Sequence, residues 1–278
     1  MQNSKIEWTD HTWNPVTGCA KVSAGCKNCY AETLSKRKFG EWKDRPFSQI
    51  RLKPHKLSEP FRIKEPSKIF VNSMSDLFHQ DVPFDFVDQV FAEMALNSKH
   101  IFQVLTKRPH RMREYLKNTT RFISIHIHMR NREMNAYAPK WPLPNVWLGV
   151  SVENQKAADE RIPILLECPA AVRFLSCEPL LGEVDLTRVK NGIDSLSGEV
   201  YNSDGDFCGV CSSIDWVIVG GESGPSHRPV DPNWIRFLRD QCQEADVPFF
   251  FKQWGGARPK ERGNELDGKI HQEFPHGI

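Results

Sequence analysis

The chain has no long hydrophobic run. Nowhere in its 278 residues do apolar side chains approach the ~18 in succession that a membrane-spanning helix needs. The opening MQNSKIEWTD lacks the apolar centre of a secretory signal, so a cytoplasmic location without a membrane partner is expected. In that compartment the eight cysteines are expected as thiols or metal ligands rather than disulfides. Internal repeats of fixed length and low-complexity tracts are absent as well. A hydrophobic content of 39% beside 26% charged residues is ordinary for a globular chain. One domain spanning residues 1–278 is expected, as in α/β barrels that exceed the usual ~150 residues.

A large net charge is also missing, since the formal total is only +2. Its distribution is uneven. Between Lys36 and Lys68 eleven Lys/Arg stand against four Asp/Glu, which leaves the rest of the chain net acidic. Such a block either binds nucleic acid or a phosphorylated substrate, or is simply a solvated face. KRPHRMR, residues 107–113, adds a second positive patch.

What is present is a series of short apolar runs, each closed by small or polar residues. They are KIFVNSMSD (68–76), HIFQVLTKRP (100–109), NVWLGVSVEN (145–154), AVRFLSCEPL (171–180), DWVIVGGESG (215–224) and VPFFFKQWGG (247–256). Runs of this length suit strands buried on both faces of a parallel sheet. Helical spacing separates them: residues 83–98 place Phe86, Val87, Val90, Phe91, Met94 and Ala95 on one face. The segments 154–169 and 231–246 follow the same pattern, the latter with Asp231 as N-cap and Pro232 at the first helical position. Alternation of strand and helix predicts an α/β fold, a partial or complete parallel (β/α) barrel. One further strand near the cysteines would nearly complete a ring. Residues 187–214 read as a turn-rich insertion and 257–278 as a loosely held tail.

Ligand sites of parallel α/β folds lie at the carboxyl ends of the strands. Ser73, Ser75 and Asp76, with Asn72 before them, end the first run; Thr106, Lys107 and Arg108 end the second. Ser151, Glu153 and Asn154 follow, then Cys177 and Glu178, then Gly220, Gly221 and Glu222, then Lys252, Gln253 and Trp254. Their recurrence predicts one pocket.

The densest chemistry is TGCAKVSAGCKNCYAE, residues 17–32, with Cys19, Cys26 and Cys29 as C-x6-C-x2-C. A structural zinc wants four closed ligands, and Cys208 and Cys211 would have to supply the second pair. The other solution is a 4Fe–4S cluster on three protein thiolates, with one iron open to an exogenous ligand. TWNPVTGCAKVSAGCKNCYAE resembles the signature of an uncharacterised, phage-associated bacterial three-cysteine-motif family. VWLGVSVEN, RFLSCEPLLG, DWVIVGGESG and VPFFFKQWG resemble it too. That family is similar to the radical S-adenosylmethionine (SAM) superfamily, with a spore-photoproduct-lyase-like motif. The usual spacing there is C-x3-C-x2-C with an aromatic before the last cysteine, whereas here six residues fill the first gap and Asn28 precedes Cys29.

The resemblance implies a barrel of the radical SAM type and a 4Fe–4S cluster on Cys19, Cys26 and Cys29. SAM would bind the open iron and be cleaved reductively to a 5′-deoxyadenosyl radical. It further implies that Asn72, Ser73, Ser75 and Asp76 take the SAM amino group. Thr106, Lys107 and Arg108 suit a carboxylate or phosphate, and Ser151, Glu153 and Asn154 suit ribose hydroxyls. Gly220 and Gly221 would permit close approach of adenosine or substrate. Glu178, Glu222, Lys252 and Gln253 are left for the substrate, of which Glu178, Glu222 and Lys252 are the expected catalytic groups. A low-potential flavodoxin or ferredoxin is the expected electron donor, and the basic block suggests a nucleic acid or nucleotide as substrate.

Two other functions stay open: a zinc-containing nucleic-acid-binding protein without catalysis, and a cluster-bearing redox sensor. His126 and His128 in ISIHIHM are expected on one face of a strand. Cys177 is either a buried small side chain or a thiol hydrogen donor.

Overall fold

The computed structural model describes residues 2–258 and 260–275. Two compact units divide the chain: Met1–Lys21, Ala31–Leu148 and Cys168–Ala171 form the first, and Val22–Tyr30, Gly149–Glu167 and Val172–Ile278 the second. The fold is α/β in both.

The first unit opens with β1 (Gln2–Asn3) antiparallel to β2 (His11–Trp13), followed by β3 (Val16–Thr17). Helix α1 (Tyr30–Ser35) precedes β4 (Arg51–Leu52), which pairs with β3. Strand β5 (Lys68–Val71) lies between β2 and β6 (Ile101–Thr106), parallel to both. Helix α2 (Phe84–Leu96) makes the crossover from β5 to β6. After β6 come α3 (Pro109–Lys117) and α4 (Thr120–Arg132). Ile69, Val71, Phe102 and Val104 are buried, as β-branched and aromatic strand residues covered on both faces should be. Trp13 packs 5.8 Å from Phe102 and donates its indole N–H to the Lys56 carbonyl at 2.7 Å.

Strand β7 (Val146–Ser151) begins in the first unit and ends in the second, where α5 (Gln155–Leu166) follows. Then come β8 (Val172–Cys177), the hairpin β9 (Glu199–Tyr201) and β10 (Phe207–Val210), and β11 (Trp216–Gly220). Helix α6 (Pro232–Glu244) leads to β12 (Phe249–Gln253), and β13 (Glu265–Leu266) pairs with β14 (Lys269–Ile270). The order β8–β11–β12 is parallel throughout, with Trp216 opposite Phe174 and Val217 opposite Phe249. Trp216 is the hub of this core, 5.8 Å from Phe174, 6.0 Å from Phe250 and 5.2 Å from Phe274.

The six apolar runs are strands and 84–96 is a helix, as their patterns predict. Asp231 caps α6 by accepting from the Asn233 N–H at 2.8 Å. Two expectations fail. His126 and His128 lie on helix α4, where a two-residue separation is about 200° of rotation, so they do not share a face. The i,i+4 pair Ile125 and Met129 is buried and fixes the helical period over the alternating one. The segment after 257 is not loose over its described part. Phe251 donates its N–H to the His271 carbonyl at 2.8 Å, and Trp216 donates its indole N–H to the Glu273 carbonyl at 2.9 Å. Residues 259 and 276–278 of that tail lie outside the described residues. Among the described residues no helix is long and apolar enough to cross a membrane.

Candidate functional site

In the first unit the candidate residues gather at the carboxyl ends of β2, β5 and β6. Beyond Val71 the chain turns at Asn72, whose φ of 63° lies in the left-handed region. The Asn72 Oδ1 accepts the Val16 N–H at 3.2 Å, which fixes the orientation of the amide. Its Nδ2 is buried and has no hydrogen-bond partner among the described residues. Asn14, which sequence reasoning missed, donates to Ser73 Oγ at 3.1 Å and accepts the Met74 N–H at 2.9 Å. Ser75 donates to the Val16 carbonyl at 2.9 Å.

Asp76 is the centre of this cluster, only 6% exposed. Its Oδ1 accepts from Thr106 Oγ1 at 2.8 Å and the Phe78 N–H at 3.0 Å. Its Oδ2 accepts from Arg108 Nη1 at 2.8 Å and the Lys107 N–H at 3.2 Å. The same Arg108 Nη1 lies 3.7 Å from Cys19 Sγ, while Nη2 donates to the Ala20 carbonyl at 3.0 Å. Burial pulls the Arg108 pKa down, but Asp76 and then Cys19 outweigh it and raise the pKa. The neighbouring His79 is pushed down by burial and by Arg108, so its imidazole is held neutral. Asp76, Thr106 and Arg108 thus bind one another, and Arg108 is the link to Cys19.

In the second unit two buried carboxylates hold the C-x2-C turn. A short 3₁₀ turn, Ala24–Cys26, carries the first cysteine. The Gly25 N–H donates to Glu153 Oε1 at 3.4 Å. Glu153, just beyond β7, is paired with Arg161 of α5, whose Nη1 donates to Glu153 Oε2 and to the Ser151 carbonyl, each at 2.8 Å. Asn28, between the cysteines, donates through Nδ2 to Glu222 Oε2 at 2.8 Å and to the Ser226 carbonyl at 2.7 Å. Glu222, just beyond β11, also accepts from the Arg228 backbone N–H and Nε, both at 2.9 Å. Arg161, Asn28 and Arg228 are absent from the sequence-based set. Of the three only Asn28 left a trace in the sequence, as the residue standing where an aromatic was expected.

Other candidates have structural partners of their own. Asn154 caps α5, accepting the Ala157 N–H at 3.0 Å. Lys252 Nζ lies 2.9 Å from Glu178 Oε1, an ion pair between the ends of β12 and β8. Gln253 donates to Ser223 Oγ at 2.6 Å. A Cβ on Gly221 would stand 2.0 Å from the Trp254 carbonyl oxygen, so the chain's own backbone accounts for that glycine. On Gly220 a Cβ would meet Glu178 Oε1 at 2.9 Å. Cys177 is fully buried, and burial lifts its pKa well above the ordinary thiol range, which fits the packing reading.

None of the eight cysteines is in a disulfide. Cys19, Cys26 and Cys29 are half-buried, whereas Cys208 and Cys211 are exposed on β10 and just after it. Among the described residues, the group of three potential metal-ligand atoms within 4.8 Å of one another is Asp85, Asp88 and His128. His128 has a carboxylate neighbour, Asp85 at 3.3 Å. Asp88 is already held by Tyr115 Oη at 2.9 Å and Arg121 Nη1 at 3.1 Å, so the trio reads as an ion-pair network.

Glu222 supplies a pH prediction. Burial raises its pKa, but hydrogen bonds from Arg228 and Asn28 outweigh that and lower it below the ordinary value. A lowered carboxyl pKa stabilises the fold above the unfolded value of ~4.3 and loses that contribution as pH falls through the folded value. Urea midpoints measured from pH 7 to pH 3 are therefore expected to show wild type more stable than Glu222→Gln near neutrality. The gap should shrink as pH falls below the unfolded value and close once pH has fallen through the lower folded value. A gap that persists unchanged at pH 3 would contradict the assignment.

A family model matches residues 3–275, and its description is a protein of unknown function (DUF5131). No curated protein and no solved structure matches the chain.

Proposed function

We propose that this chain, which belongs to the DUF5131 family, is a radical SAM enzyme with a partial (β/α) barrel of that type. A 4Fe–4S cluster would be held by Cys19, Cys26 and Cys29. The observation that carries the reading is the treatment of the C-x2-C turn. Glu153 and Glu222, at the ends of two strands of one unit, are both directed at a loop that carries two half-buried thiols. Soft thiolate donors in a fixed loop suit an iron–sulfur cluster. Arg108 beside Cys19 fits as well, since a guanidinium hydrogen bond stabilises a thiolate.

When bound, a reduced cluster supplies the electron that splits SAM into methionine and a 5′-deoxyadenosyl radical. The residues of this chain bind and orient. Asn72 Nδ2 is a buried donor without a partner, and a donor suits a carboxylate, not an ammonium group. We therefore assign Asn72 to the carboxylate of the bound amino acid, which revises its expected role toward the amino group. Glu153 and Glu222 act as anchors of the cysteine turn. The Lys252–Glu178 pair remains for the substrate, with a nucleic acid or nucleotide as its class and a flavodoxin or ferredoxin as electron donor.

The test is anaerobic purification, reconstitution with iron and sulfide, reduction, addition of SAM and assay for 5′-deoxyadenosine, with Cys26→Ala as control. Wild type is expected to hold about four iron per chain and to release deoxyadenosine, and Cys26→Ala to do neither. A loaded, reducible cluster that never yields deoxyadenosine would replace this reading with the redox sensor. One tight zinc and no cluster would replace it with the non-catalytic binding protein.

A further inference from the structure

The basic block between Lys36 and Lys68 is not a uniform solvated face. Five of its cations have carboxylate partners: Lys36 with Glu32, Arg45 and Lys53 with Glu41, Lys56 with Glu59, and Lys68 with Asp10. The side chains of Arg37, Lys38 and Lys43 have no hydrogen bond or ion pair among the described residues, and all three residues are exposed. In sequence they flank Phe39, which is 86% exposed. The first unit as a whole carries 23 Lys/Arg against 14 Asp/Glu, a net +9, whereas the second carries 14 against 21, a net −7. The cations of this turn therefore stand in a positive field of their own unit.

The turn rests on a built base. Helix α1 ends in backbone hydrogen bonds from Arg37 to Leu34 and from Lys38 to Ser35, at 3.2 and 3.1 Å. Lys38 and Gly40, on either side of Phe39, have φ of 49° and 59°, so the chain reverses at the aromatic. Just beyond, Trp42 lies under the Arg45 guanidinium at 4.1 Å and beside Phe47 at 5.6 Å. The buried Arg45 donates to Glu41 Oε2 at 2.9 Å and to Thr17 Oγ1 at 3.0 Å, and Lys53 joins from the other side of Glu41. The base is fixed, and the aromatic stands outside it.

A solvated face accounts for exposed lysines but gives no reason for a phenylalanine at the apex of an anchored turn. An aromatic platform flanked by unpaired cations meets the two requirements of single-stranded nucleic-acid binding: stacking for a base and positive charge for the phosphates. Duplex does not offer an unstacked base face, and polyglutamate offers charge without an aromatic ring. We propose that the turn 36–43 binds single-stranded nucleic acid, with one base stacked on Phe39 and phosphates at Arg37, Lys38 and Lys43. This rests on the nucleic-acid part of the reading above and names the surface that takes the strand; it requires no cluster.

Fluorescence anisotropy with the full chain and labelled 15-mer single strands of DNA and of RNA tests it, beside the matching duplex and polyglutamate. Phe39→Ala is expected to weaken single-strand binding about tenfold, and Phe39→Trp to restore it. The slope of log K against log salt should stay unchanged in Phe39→Ala. It should flatten by roughly 2 when Arg37, Lys38 and Lys43 are replaced together by Ser. Phe39→Ala binding as tightly as wild type would overturn the proposal, as would equal binding of duplex or polyglutamate. The Cys26→Ala protein is run in parallel. Unchanged binding there with no deoxyadenosine formed by wild type keeps this proposal while the enzyme reading fails; no binding with active wild type does the reverse.

Discussion

Arg161→Ala is expected to remove about 3–5 kcal/mol of folding stability, because it breaks a buried ion pair by deleting one partner. Arg161 and Glu153 are 3% and 2% exposed. The guanidinium reaches both carboxylate oxygens, at 2.8 and 3.4 Å, and the Ser151 carbonyl at 2.8 Å. Alanine would leave Glu153 charged or force it to take up a proton in a buried site, and it would take the Arg161 donor from the Ser151 carbonyl as well. Replacing both residues by Met should recover much of the loss, since an apolar pair of similar volume often does as well as a buried ion pair. Urea unfolding followed by tryptophan fluorescence reads both. A loss under about 1 kcal/mol would mean the pair behaves as a surface bridge. A second readout links the pair to the site. Glu153 also accepts from Gly25, so Arg161→Ala should speed tryptic cleavage at Lys27 under conditions where the rest of the chain stays folded.

How far the sequence carries can be judged on particular residues. The strands were legible because WVIVG and FFFKQ are short, β-branched or aromatic and apolar almost throughout, which suits burial on both faces of a sheet. Helix α2 was legible because its apolar residues recur at the helical period. In ISIHIHM a local alternation imitates a strand, and only packing of Ile125 and Met129 decides for the helix. The tail misled for a related reason. Its described part is held by single contacts to the core, such as Phe274 on Trp216, and leaves no periodic trace. Residues at the strand ends were expected to line one pocket; within each unit several of them instead bind one another or hold a loop. Glu222 meets Asn28 across 194 positions, and Arg161 meets Glu153 from the next helix. Which carboxylate faces a ligand and which holds a loop is set by such partners, and residue type alone does not encode them.

Asp76 gives the second large effect. Asp76→Ala is expected to cost about 3–5 kcal/mol, since it strands the Arg108 guanidinium and three further donors in a nearly closed space. The more informative variant is Asp76→Asn, which keeps the shape. An amide can still accept from Thr106 and the Phe78 N–H at the Oδ1 position, but its NH₂ would then face the two donors that Oδ2 now receives, Lys107 N–H and Arg108 Nη1. Turning the amide over only exchanges one donor conflict for the other. Asp76→Asn should therefore lose about 2–3 kcal/mol, closer to alanine than to wild type in urea unfolding. A near-neutral Asp76→Asn would show that only one oxygen is needed. The consequence for Cys19 follows from geometry, because the Nη1 that binds Asp76 is the one 3.7 Å from the Cys19 sulfur. Once released, Arg108 no longer holds both, and alkylation of Cys19 at fixed pH, read by peptide mass spectrometry, should change in Asp76→Asn while that of the exposed Cys208 of the second unit does not. Equal change at both cysteines would indicate general loosening of the chain, and equal constancy would show that Arg108 stays on Cys19 without its carboxylate.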